Sequence, residues 1–243
     1  MHRRIDDLDA RQFDLLVIGG GIFGACAAWD ATLRGLSVAL VEQHDFGAGT
    51  SANSFKMVHG GIRYLQHADV PRLRASCHER SAMLRVAPHL VTPLPIVVPT
   101  YGHGRAGKEL LGAGMLLYDL LTIDRNRGIA DRSRRIPVSR FLQAEEVLRL
   151  FPGVAEHALT GAAVFCDGQM YNPPRLVLAF IRAAAERGAV TLNYAEATAL
   201  RREGNAVQGA RVRDRVTGAS VEVRARAVLN AGGPWVPWFM RER

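Results

Sequence analysis

Lysine is almost missing from this sequence: only Lys56 and Lys108 interrupt a basic set of 31 residues that is otherwise all arginine. The formal net charge of +8 at pH 7 therefore comes from arginines spread along the chain, not from a lysine-rich tail. A surplus of this size suggests nucleic acid or an anionic membrane surface. Compositional bias explains it better. The densest run, Arg125, Arg127, Arg132, Arg134, Arg135 and Arg140, is not interleaved with the aromatic side chains that a single-strand-binding face uses for stacking. No nucleic-acid partner is expected. Cysteine is scarce too: Cys26, Cys77 and Cys166 are an odd number, lie far apart and form no CxxC pair. That excludes a disulfide framework and a zinc site, leaves the metal set empty, and makes a reducing cytosol the default location.

Long apolar runs are lacking as well. The stretch 110–123 is broken by Asp119 and falls short of the ~20 residues that cross a bilayer. An earlier run, 15–28, follows Arg3 and Arg4 and ends in small residues, which mimics a signal peptide. Asp6, Asp7, Asp9 and Asp14 stand between the arginines and most of that run, and its three glycines have another use. What the chain does contain is ordinary globular composition, 48% hydrophobic and 22% charged, which excludes disordered and collagen-like classes. At roughly 150 residues per domain, 243 residues allow one large domain or one with a sizeable insertion.

The order of elements begins with an apolar run at 13–18 that reads as a buried parallel strand, then Gly19-Gly20-Gly21, then a helix over 22–34 capped by Gly35. A second buried strand, 37–41, ends at Glu42, which completes a βαβ opening. Loop chemistry occupies 45–64, and a helix runs from about 70 to 86. A Pro-punctuated strand at 94–99 and helices at about 108–121 and 139–150 suggest a separate region. Asn172-Pro173 starts a helix that Gly188 stops, with Leu176, Val177, Phe180, Ile181 and Ala184 as its apolar stripe. A strand at 190–194, an antiparallel meander over 198–224 broken at Gly204-Asn205 and Thr217-Gly218, and a buried strand at 227–229 follow.

Gly19-x-Gly21-x-x-Gly24 sits between a strand and a helix, with an acidic residue at the end of the next strand. Gly19 permits the tight turn, Gly21 lets backbone N–H groups approach a pyrophosphate at the positive helix end, and Gly24 lets helix and strand pack closely. Glu42 can accept both hydroxyls of an adenosine ribose, and its charge repels a 2′-phosphate. This spacing reads as a dinucleotide site without choosing between NAD and FAD. The segment 49–64 is more informative. Small hydroxyl residues and a glycine pair let donors come close to a flat anionic cofactor. His59, Arg63 and Tyr64 then bring an acid or base, a fixed cation and a phenol into six residues.

On these residues the sequence resembles the FAD-dependent, quinone-linked glycerol-3-phosphate dehydrogenases of the D-amino acid oxidase-like flavoprotein superfamily. The resemblance is carried by Val-Ile-Gly-Gly-Gly-Ile-Phe-Gly-Ala at 17–25, Arg-Gly-Leu-Ser-Val-Ala-Leu-Val-Glu at 34–42 and Gly-Thr-Ser at 49–51. Lys-Met-Val-His-Gly-Gly-Ile-Arg-Tyr-Leu at 56–65, Ala-Pro-His-Leu at 87–90 and Asn-Ala-Gly-Gly-Pro-Trp-Val at 230–236 extend it over nearly the whole chain. It implies that Gly19, Gly21, Gly24 and Glu42 hold the ADP half of FAD and that Thr50, Ser51, Lys56 and Met57 line the pyrophosphate and flavin. It further implies that backbone near Ala197 and Thr198 holds the adenine, that Gly232 and Gly233 close over the cofactor, and that His59, Arg63 and Tyr64 face the substrate. The sequence departs from the family at Gly232, where threonine is usual, at Phe55, where a small hydroxyl residue is usual, and between Asp167 and Arg175, where paired acidic residues are usual.

The implied fold is α/β: a Rossmann-like FAD-binding domain of the glutathione reductase type, with a parallel sheet plus an antiparallel meander and an inserted substrate or cap region. The expected division is 13–87 and 159–243 for the FAD domain and 88–158 for the insertion. Family members run to about twice this length, so the chain reads as truncated at its C-terminus. The implied reaction is oxidation of sn-glycerol 3-phosphate to dihydroxyacetone phosphate by hydride transfer to FAD. His59 takes or relays the hydroxyl proton, Arg63 grips phosphate or polarises the reacting oxygen, and Tyr64 orients the substrate. Electrons pass to a quinone, which implies a cytoplasmic protein attached peripherally to the inner face of the membrane. The alternatives are another oxidoreductase of the same superfamily with a different substrate, and a non-catalytic FAD-binding fragment.

Overall fold

The computed structural model describes residues 3–104 and 107–242. They divide into two compact units, one formed by Met1–Phe55 with Asn172–Arg243 and the other by Lys56–Tyr171. In chain order the elements are β1 (Phe13–Ile18), α1 (Ile22–Leu33) and β2 (Val38–Val41) in the first unit. The second unit contributes β3 (Met57–Val58), α2 (Val70–Val86), β4 (Val91–Tyr101), α3 (Lys108–Leu121), β5 (Arg140–Leu142), α4 (Ala144–Leu150) and β6 (Leu159–Met170). The first unit resumes with α5 (Pro173–Glu186), β7 (Val190–Leu192), β8 (Ala195–Glu203), β9 (Ala206–Asp214), β10 (Ser220–Asn230) and α6 (Val236–Glu242).

The first unit is a six-stranded sheet in the order β7-β2-β1-β10-β9-β8. β1 lies parallel to β2 on one side and to β10 on the other, from Phe13↔Ala225 to Ile18↔Asn230. β10 then runs antiparallel to β9, from Ser220↔Arg213 to Arg224↔Gly209. The last strand of the meander and the parallel strand after it are therefore one strand, not a strand ending at 224 followed by a second at 227–229. No turn-forming residue separates the two halves, so nothing breaks the ladder. Val223 and Ala225 are its buried residues, whereas Ala227 and Leu229 are exposed, against the expectation of a buried 227–229. Leu16, Ile18, Ala39 and Val41 share one core with Ala210, Val212, Val223 and Ala225, which joins the parallel and antiparallel halves. On α5, Asn172 Oδ1 accepts the Arg175 N–H at 3.2 Å and the apolar stripe is buried as its spacing predicts. Trp29 of α1 and Phe180 of α5 meet with ring centroids 5.2 Å apart.

Asp214, at the end of β9, is buried and takes two hydrogen bonds from Arg3, one of them 2.9 Å long, and another from the Val216 N–H at 2.8 Å. The Arg3 bonds hold its carboxyl well below the usual carboxylate range. A carboxylate with a lowered folded-state pKa stabilises the fold above its unfolded value, about 3.9, and that contribution disappears as pH falls below it. Urea midpoints measured from neutral pH downward should therefore drop for the wild-type chain in acid. An Asp214→Asn chain should start lower and drop less; parallel curves would remove Asp214 from the acid transition.

In the second unit, β6 is the centre. β3 and β4 pair antiparallel with it, β4 along its length from Val91↔Met170 to Tyr101↔Leu159, and β5 pairs with it as well. Sequence reasoning misses β6, because Gly161, Asp167 and Gly168 read as loop residues. Gly161 is in fact where the β5 backbone crosses closely: a Cβ there would run into the Leu142 carbonyl oxygen. The expected helix over 139–150 is a short strand followed by a two-turn helix, β5 and α4. Strand pairing also sets the unit's bounds at 56 and 171, wider than the expected 88–158, since β3 and β6 belong to the same sheet as β4. Within the basic run, Arg125 is buried: it donates to the Asp119, Thr122 and Ile136 carbonyls, which fastens the chain after α3.

Candidate functional site

At the carboxyl end of β1 the chain turns through Gly19, whose φ of +110° requires glycine and whose Cβ would lie 2.6 Å from the Ala231 carbonyl oxygen. The Gly19 N–H donates to the Val41 carbonyl at 2.8 Å and the Ala231 N–H to the Ile18 carbonyl at 2.8 Å, so β1, β2 and β10 end side by side. Gly24 faces this turn across α1, and a Cβ on it would run into the Gly19 carbonyl oxygen. The helix begins at Ile22 with Gly21 as an N-cap that has no side-chain hydrogen bond. Instead the Ile22 N–H donates to Ser51 Oγ at 3.0 Å, and a Cβ on Gly21 would lie 3.3 Å from that same oxygen. A helix start left open by glycine, with a hydroxyl beside it, fits a pyrophosphate. Thr50 lies in the same turn and is exposed.

Glu42 is fixed by two backbone donors: Gly20 N–H reaches one carboxylate oxygen at 2.7 Å and His44 N–H reaches the other at 2.8 Å. Each oxygen retains acceptor capacity for a ribose hydroxyl. Glu42→Ala removes both bonds at once, and bonds to a charged group contribute roughly 1.5–3 kcal/mol each. The variant should thus lose thermal stability as well as FAD affinity. Flavin titration and a melting curve check both; unchanged FAD affinity takes Glu42 out of the site.

Two further positions fit the cofactor's other parts. The pairing of β8 with β9 steps from Ala197↔Val212 to Ala199↔Arg211, so Thr198 sits in a bulge and is left outside the ladder. Gly232 N–H donates to Asn230 Oδ1 at 3.1 Å, while Asn230 Nδ2, at the carboxyl end of β10 opposite Ile18, is a buried donor without a partner among the described residues. Gly233, with φ of +59°, opens the turn that follows.

The second unit carries the other set. Lys56 adopts a left-handed backbone, φ of +58°, and Met57 pairs with Gln169 on β6. His59 is exposed, with its ring centroid 6.3 Å from that of Tyr64 at an edge-on angle. Gly61, with φ of +75°, starts a 3-10 turn over Ile62–His67 that carries Arg63 and Tyr64. The Arg72 guanidinium lies 5.5 Å from the centre of the Tyr64 ring. Arg63 is exposed and has no hydrogen-bonded or ionic partner among the described residues, which leaves a cation available for an anionic ligand. The structure thus gathers His59, Arg63 and Tyr64 on one loop, and Gly19, Gly21, Gly24, Glu42 and Ser51 around the carboxyl ends of β1 and β2 in the other unit.

Sequence reasoning misses the residues beneath the His59 loop: Arg80, Tyr118, Asp167 and Cys77. Burial pushes the Cys77 thiol and the Tyr118 hydroxyl up, so both stay protonated near neutral pH. No spacing rule links 60, 80, 118 and 167, so nothing local in the sequence points to this set.

The family model for FAD dependent oxidoreductase (DAO) matches residues 14–243. The chain belongs to this family of FAD-dependent oxidoreductases, and FAD is its cofactor class. It is 41% identical over 237 residues to the mitochondrial glycerol-3-phosphate dehydrogenase of Macaca fascicularis, covering 92% of this chain and 31% of that protein. It is 35% identical to the glycerol-3-phosphate dehydrogenase of Synechocystis sp., covering 96% of this chain and 41% of that one. The structure superposes on the Bacillus halodurans glycerol-3-phosphate dehydrogenase complexed with FAD with a TM-score of 0.72 at 29% identity, over 98% of this chain and 38% of that one. The chain therefore spans about a third to two-fifths of the length of these relatives.

Proposed function

We propose that this chain serves an FAD-dependent dehydrogenase that oxidises sn-glycerol 3-phosphate to dihydroxyacetone phosphate, with electrons passing to a quinone. The carrying observation is the loop that carries His59, Tyr64 and Arg63, the last without an ionic or hydrogen-bonded partner among the described residues. FAD, when bound, supplies the two-electron acceptor. Gly19, Gly21, Gly24 and Glu42 hold its ADP half, Thr50, Ser51, Lys56 and Met57 line its pyrophosphate and flavin, the Ala197–Thr198 backbone holds adenine, and Gly232 and Gly233 close over it. Arg63 grips the phosphate or the oxygen at C2 through a planar fork suited to oxyanions. His59 takes the hydroxyl proton, and Tyr64 orients the substrate. The names of the glycerol-3-phosphate dehydrogenase relatives support this substrate. No helix among the described residues is long and apolar enough to cross a membrane. In this reading the quinone is reached by peripheral attachment to the inner face of the cytoplasmic membrane.

The short span relative to those proteins favours a second reading, a non-catalytic FAD-binding piece. Purification with yellow flavin followed by dye reduction on adding glycerol 3-phosphate establishes the first reading. Flavin without dye reduction establishes the second, and reduction by an amino acid but not glycerol 3-phosphate points to another member of the superfamily.

A further inference from the structure

Beneath the His59 loop lies a buried guanidinium–carboxylate pair that the reaction itself does not use. Arg80 is 0% exposed. Its Nη1 donates to Asp167 Oδ1 at 2.6 Å, to the Tyr118 hydroxyl at 3.0 Å and to the Cys166 carbonyl at 3.2 Å, while its Nε has no partner among the described residues. The same Asp167 oxygen accepts the Gly60 N–H at 2.6 Å, and Cys77 Sγ–H donates to the Gly60 carbonyl at 3.0 Å. Both polar groups of Gly60 are thus held by side chains of α2 and β6. The space a Cβ would need is occupied by Arg80 Nη1 and the Tyr118 hydroxyl.

A buried ion pair is a poor stabiliser, because removing both charges from water offsets their attraction, and apolar residues of similar volume are often as good or better. Here the partnerless Nε adds a further desolvation cost. Geometry is what the pair supplies. Fixing the Gly60 peptide fixes the direction in which His59 leaves the backbone and the entry of the left-handed Gly61 into the turn that carries Arg63 and Tyr64. We propose that Arg80 and Asp167 are positioning residues that hold the His59–Tyr64 loop in its ligand-binding shape. The proposal rests on the reading of that loop as substrate-facing.

Two double variants test it in the FAD-loaded chain. Arg80→Met with Asp167→Leu removes both charges; Arg80→Met with Asp167→Asn also keeps an acceptor for the Gly60 N–H. Amide exchange across 60–64, kcat/KM for glycerol 3-phosphate and Tm are measured on each. The leucine variant should keep a Tm near wild type, yet exchange at Gly60 should rise and kcat/KM should fall by about tenfold or more. The asparagine variant should recover much of both. Wild-type exchange and kinetics in the leucine variant overturn the proposal, and so does an asparagine variant no better than leucine. If the leucine variant does not fold, Arg80→Met with Asp167→Ala decides, since it removes the same acceptor of the Gly60 N–H with a smaller side chain in its place; unchanged exchange at 60–64 then overturns the proposal. Absent turnover in the wild type refutes the functional reading, and the exchange measurement still decides the role of the pair.

Discussion

A Gly24→Ala chain should lose its flavin and much of its stability together. The added methyl group would run into the backbone oxygen of Gly19 and come within 3.2 Å of Val17 Cγ1. Neither Gly19 nor the strand beneath can step aside as a flexible side-chain tip would, so α1 must slide away from β1. Overpacking of this kind costs about 1–3 kcal/mol, occasionally more, against a total stability of roughly 5–15 kcal/mol. The slide also withdraws the helix N-terminus from the anion it is aimed at. Urea midpoint and flavin absorbance of the purified protein report the two losses, and a stoichiometrically yellow, equally stable variant would show that the close approach is not needed. Gly21→Val makes the contrast. Its nearest obstacle is the Ser51 hydroxyl, so that chain should fold with near-normal stability and still fail to bind FAD, because the side chain occupies the pyrophosphate position.

Arg63→Ala should act the other way, leaving the flavin spectrum and the fold intact while kcat/KM for glycerol 3-phosphate collapses. Arg63 has no ionic or hydrogen-bonded neighbour within the described residues, so no internal partner is stranded when it is removed. Losing a bidentate cation from a desolvated anion site costs on the order of 2–5 kcal/mol, roughly 30-fold to several thousand-fold in kcat/KM. Arg63→Lys should recover only part of this, because an ammonium lacks the planar fork. Steady-state dye reduction across substrate concentrations checks it, and equal turnover by wild type and Arg63→Ala would count against both the residue and a phosphate-bearing substrate.

Local chemistry made much of this legible in advance. The βαβ opening could be read because each of its parts is a neighbour in sequence: an apolar strand, three glycines, a helix and an acid twenty-odd positions on. The start of α5 was readable for the same reason, since Asn172 and Pro173 act on the very turn they begin. What could not be read depends on partners far away. β6 is a strand because β3, β4 and β5 pair with it, and its glycines mark those approaches instead of loops. The support under His59 needs Gly60, Arg80, Tyr118 and Asp167 at once, and tertiary packing alone brings them together. The unity of β10 was hidden because its two halves have different neighbours, an antiparallel one and a parallel one.

The pairing of Phe13 with Ala225 has a consequence during synthesis. β1 leaves the ribosome before the second unit, yet the strand on one of its two sides is made only after the whole of 56–171 has been translated. The second unit, continuous in sequence, can complete its sheet as it emerges, whereas the first must wait with one ladder of apolar β1 unsatisfied. Such an open edge recruits other chains. Nascent or cleaved products that end before β10 should therefore be the aggregating species, and chaperone dependence should fall sharply once residue 230 has emerged from the ribosome.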